Sequence, residues 1–95
     1  MSVRAYLVTQ IIHNDEPTFN LMGDTKLVNF FQENAGIYEN MSEGTGLTEI
    51  PVEVLKEAIA KTAELELEPF TVKALADDID WARRMGEEYV RYYCL

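Results

Sequence analysis

The chain has 95 residues, 47% hydrophobic and 26% charged, and its 17 acids against 8 Lys and Arg give a formal net charge of −9. That length suits a single domain, residues 1–95, with one modest core, and the apolar content excludes a disordered chain. The acidic excess excludes direct nucleic-acid binding and docking on an anionic membrane surface, both of which demand basic side chains.

Val3 to Ile12 is rich in Val, Ile, Tyr and Leu and is largely apolar on both alternating faces. This composition predicts a strand that is central in a sheet or covered on both sides. Arg4, Thr9 and Gln10 interrupt the stretch, so a signal peptide is not expected, and no run approaches the ~18 apolar residues of a membrane span. His13 to Pro17 reads as a polar turn, and Thr18 to Leu21 as a short return strand.

A helix follows from Asp24 or Thr25, either of which can cap its free N–H groups, with Leu27, Val28, Phe30 and Phe31 as its buried stripe. Gly36 suits its left-handed end. Ile37 to Leu47 reads as a loop held down by Ile37, Tyr38 and Met41. Pro51, Val54, Leu55, Ala58, Ile59, Thr62 and Leu65 then recur at helical spacing, predicting a helix over 51–65. Glu66 to Pro69 breaks it, and Val72, Leu75, Ile79 and Ala82 predict a last helix over 71–85, packed antiparallel on the one before.

Two readings compete after Gly86. The helix can continue through Tyr89 and Tyr93, or Gly86 can cap it and release a strand over 89–95. The β-branched and aromatic composition favours the strand. The predicted fold is therefore α+β, with a small antiparallel or mixed sheet of two to four strands and three helices mainly on one face. Its N- and C-terminal strands are expected to pair.

Chemistry-bearing patterns are sparse. Cys94 is the only cysteine, so no intrachain disulfide can form and a reducing cytoplasm fits. His13 with Asp15 and Glu16 lacks the further ligands that a metal needs and reads as a hydrogen-bonded turn. Asp77 and Asp80 lack the residue order of a calcium loop and read as a solvated face balanced by Lys73, Arg83 and Arg84. Nucleophile elbow, phosphate-cradling loop and dinucleotide fingerprint are all missing from the sequence. No catalytic residue, cofactor or metal site is assigned, and the chain reads as a non-enzyme.

Charge is uneven, and the middle of the chain carries most of it. Over residues 33–68, nine acids against two lysines leave −7. The plain reading is a solvated face that keeps the protein in solution. The functional reading is a docking surface for a protein partner with a basic surface, carried by Glu39, Glu43, Glu49, Glu53 and Glu57. Alternatives are a homo-oligomeric structural protein, or an acidic nucleic-acid mimic that inhibits a DNA-binding enzyme. The aromatic C-terminal segment further predicts a homodimer contact through Tyr89, Arg91 and Tyr93.

Overall fold

The computed structural model describes residues 3–7, 9–42 and 44–95. In chain order, helix α1 (Thr25–Ala35) leads through a 3-10 turn (Ile37–Asn40) into strand β1 (Gly46–Pro51). Helices α2 (Val52–Ala60) and α3 (Pro69–Met85) follow, and strand β2 (Tyr89–Cys94) completes the α+β fold. β1 and β2 form an antiparallel two-stranded sheet in which Gly46 faces Cys94, Thr48 faces Tyr92 and Ile50 faces Val90.

The strand period divides this sheet into two unlike faces. Thr48, Ile50 and Val90 are buried and Tyr92 is half-buried, whereas Leu47, Glu49, Tyr89, Arg91 and Tyr93 point to solvent. The inner face packs against the helices, joining Leu27, Val28, Phe30 and Phe31 of α1, Leu55 and Ala58 of α2, and Leu75, Ile79 and Ala82 of α3 in one core.

The expected sheet partner is corrected. Among the described residues, 3–7 and 9–12 form no strand, and the ladder partner of β2 is 46–51. That segment read as a loop and a helix start because it is short and holds Gly46 and Pro51. Its alternation appears only once Thr48 and Ile50 have a face to bury against. Pro51 ends β1 and sits at the entry of α2, since its missing N–H is no loss at either place. Thr18 to Leu21 is likewise not a strand: the Asn20 side chain accepts the N–H of Met22 and of Gly23 in a turn that leads into α1.

Helix ends follow local chemistry, with two corrections. Asp24 does not cap α1; its carboxylate accepts the Asn20 N–H at 2.7 Å instead. Regular helix α2 stops at Ala60, and the path to residue 66 continues as turns. These close when Glu66 adopts φ 53° while Leu67 N–H returns to the Thr62 carbonyl at 3.0 Å. That geometry is a glycine-type helix ending built on a glutamate, at a cost of about 1 kcal/mol. At Gly86, φ is 71°, and Glu87 N–H reaches the Ala82 carbonyl at 2.8 Å, which turns the chain out of α3 into β2. Pro69 occupies the first turn of α3, so it begins that helix as well as ending the preceding turns.

α2 and α3 pack on each other, with Leu55 and Ala58 fully buried and Ile59 only half-buried. Leu55→Ala is expected to cost about 2–5 kcal/mol, and Ile59→Ala less. Thr48 Oγ1 is buried and has no hydrogen-bond partner among the described residues. Thr48→Val, which removes that hydroxyl at nearly constant shape, is expected to gain about 1 kcal/mol. Urea unfolding midpoints of the three variants check both signs.

Candidate functional site

α1 ends at Gly36, whose φ of 58° lets the chain turn at once into the 3-10 segment. The Gln32 side-chain oxygen accepts the Tyr38 N–H at 2.8 Å and fixes that segment against the helix end. Glu39 is thereby folded back over Gly36: a Cβ at that glycine would stand 2.9 Å from Glu39 Oε2. The glycine is needed for its backbone angle, and a side chain there would push the flexible Glu39 carboxylate aside.

Beside this helix end lies an open depression of about 490 Å³, lined by Gln32 to Gly36, Glu39, Asn40, Glu49, Pro51 and Tyr89. Three carboxylates, those of Glu33, Glu39 and Glu49, border it. The carbonyl end of α1 adds a partial negative charge of about half an electron, and no basic residue stands in its last turn to offset it. Glu49 is held by Arg91 Nε at 2.9 Å across the ladder, an exposed pair that contributes little to stability. The arrangement is a negatively polarised hollow with an exposed tyrosine on its wall, able to receive a cationic group on an apolar stem.

The docking residues expected from sequence separate into two groups. Glu39 and Glu49 line the depression, although the segment that carries Glu39 reads as loop and the one that carries Glu49 as a helix start. Glu53 and Glu57 are exposed on α2 outside it, and Glu53 is paired with Lys56 at 3.4 Å. Glu43 lies outside the described residues. Tyr89, expected at a dimer contact, shares the depression with Glu49 because the ladder sets Tyr89 opposite Pro51, two residues on. Arg91 lies over Glu49, and Tyr93 lies opposite Leu47 with its ring centroid 5.8 Å from that of His13. Glu33 opens the acidic stretch, and its place in the last turn of α1, just before a stop glycine, sets it at the hollow.

A second cluster sits on the inner face of the sheet. One carboxylate oxygen of Asp78, on α3, accepts both the Tyr92 hydroxyl and the Thr18 hydroxyl, each at 2.7 Å. Phe19 packs between the Phe31 and Tyr92 rings at centroid distances of 5.2 and 5.1 Å. Burial, followed by the adjacent Asp78 charge and hydrogen bond, pushes the Tyr92 phenol well above its ordinary 10.0. Burial likewise pushes the Cys94 thiol up, which disfavours the reactive thiolate.

Among the described residues, no three His, Cys, Asp or Glu side chains gather as a metal site requires. Nor is any helix among them long and apolar enough to cross a membrane. Asp77 and Asp80 form ion pairs along α3 with Lys73 at 2.9 Å and Arg83 at 3.6 Å. Comparison with protein-family models, curated proteins and solved structures found no match.

The Tyr92 shift gives a pH prediction with a definite sign. Below the ordinary value of 10.0, Tyr92 is neutral in both folded and unfolded chains, and its full contribution to stability is present. Above it the unfolded chain ionises this phenol while the folded one resists, so stability falls as pH rises. Ultraviolet titration is expected to show one of the five tyrosines ionising only as the fold opens. Tyr92→Phe is expected to cost about 1.5 kcal/mol at neutral pH and to flatten the alkaline loss.

Proposed function

We propose that this chain is a small, non-catalytic protein-interaction module that seats a basic segment of a protein partner in the hollow at the end of α1. The observation that carries this reading is the convergence of Glu33, Glu39 and Glu49 with the carbonyl end of α1 around one open depression. A lysine or arginine from the partner gains from Glu33, Glu39 and the carbonyl end of α1, shares Glu49 with Arg91, and can lay its methylene stem on the Tyr89 ring. Because the three carboxylates border an open hollow and do not form a ligand cage, an extended side chain suits them better than a bare metal ion.

The remaining negative charge acts at longer range. With −9 over the whole chain, the protein attracts a basic partner and accelerates encounter, while the hollow sets where contact is made. The raised thiol of Cys94, the single cysteine, supports binding over nucleophilic chemistry and suits a cytoplasmic setting.

A lysine- and arginine-rich peptide, titrated into the labelled protein, is expected to shift the amide resonances of residues 32–40, 49 and 89. Glu33→Lys with Glu39→Lys is expected to weaken binding ~10-fold or more, and added salt to weaken it for the unaltered protein. Shifts spread evenly over Glu53, Glu57 and the other exposed acids, indifferent to the double substitution, would overturn the reading.

A further inference from the structure

Two unsatisfied features of this chain complement each other. β2 pairs with β1 along one edge, and among the described residues its other edge has no strand partner. Residues 3–12 have the composition of a central strand, yet Val3, Leu7 and Ile12 are 101%, 90% and 87% exposed. An open edge presents unpaired N–H and C=O groups to any extended segment that reaches it. A strand-forming segment left in water is the local–global conflict that pairing resolves.

We infer that residues 3–12 of one copy add as an antiparallel strand to the free edge of β2 in a second copy, giving a strand-exchanged homodimer. The direction of the chain where it leaves its own body selects the second copy. Phe19 is packed on Tyr92 at the inner face of the sheet, whereas His13 lies against Tyr93, whose side chain is on the outer face. The intervening residues therefore cross from the outer to the inner side of the sheet beside Tyr92 and Tyr93. For residues 3–12 to run antiparallel along their own β2, Ile12 would have to start beside Tyr89, about 13 Å back along the strand. Held at Tyr93, the segment runs parallel to its own strand or away from it. In a second copy the same edge accepts it antiparallel, the arrangement that is more stable per residue.

Charge supports the same occupant. Arg4 is the only charged side chain over 3–12, and no carboxylate occurs before Asp15. The last 27 residues, which include β2, carry five acids against four bases. Two copies of a −9 protein repel, and these two segments are where they can meet with least repulsion. Reciprocal exchange also closes the assembly, since each copy gives one strand and receives one. Backbone pairing supplies the affinity and alternate side chains the register, as in other strand-addition complexes.

Light scattering at micromolar concentration, joined to amide contacts measured on a mixture of labelled and unlabelled copies, tests this. The expected result is twice the 10.9 kDa chain mass, with contacts between residues 3–12 of one copy and 89–94 of the other. Val3→Lys and Leu7→Lys, at positions fully or almost fully exposed in the single chain, are each expected to weaken the dimer ~10-fold or more while leaving the thermal midpoint of the separated chain unchanged. A mass of one chain, contacts confined within a chain, or a dimer indifferent to both substitutions would overturn the inference. Peptide binding at Glu33 and Glu39 is scored separately, so either reading can fail alone.

Discussion

A two-stranded antiparallel ladder is barely stable in water, and it persists only when one of its faces is buried against something else. In this protein both strands are six residues long, and the buried face consists of little more than Thr48, Ile50, Val90 and Tyr92. Each helix supplies part of the cover, and the fully buried Phe31, Leu55 and Leu75 come one from each. Asp78 adds a polar tie, since a single carboxylate oxygen holds α3 to β2 and to Thr18. Removing any one helix would expose the ladder, so sheet and helices stand or fall together.

Using one face for stability leaves the other for contact. Leu47 and Tyr93, Glu49 and Arg91, and Pro51 and Tyr89 form three cross-strand pairs on the outer side. Their exposure is the consequence of a sheet with cover on one face, and it places apolar, ionic and aromatic character side by side. The abrupt exit of the chain at Gly36 then brings the carbonyl end of α1 beside the Glu49 end of that surface. The proposed docking hollow and the proposed strand exchange thus share one origin. A small domain with a single core leaves a sheet face and a sheet edge unprotected.

Local features of the chain were legible without coordinates. Helix α1 and its buried stripe, the core face of α3, the left-handed ends at Gly36 and Gly86, and the strand character of 89–94 all follow from near-neighbour spacing and from what glycine permits. The candidate site was legible in part. Glu39 and Glu49 were recognised as acids in an acidic stretch, but so were Glu53 and Glu57, which the fold leaves outside the hollow. Composition reports charge density, whereas a site depends on which charges meet.

The sequence by itself determined three helices, a C-terminal strand and a strongly acidic middle third. Each of these depends on residues within a turn or two of one another. Only the tertiary structure decided which segment pairs with β2. Residues 3–12 have the stronger strand composition, yet the described ones, 3–7 and 9–12, stay unpaired, while Gly46 to Pro51, with a glycine at one end and a proline at the other, take the place. The physical reason is that β-pairing joins residues far apart along the chain, over forty between Glu49 and Arg91. What settles it is the burial of Thr48 and Ile50 against three helices, together with the short connection that lets Pro51 end the strand and start α2. No window of neighbouring residues contains that information.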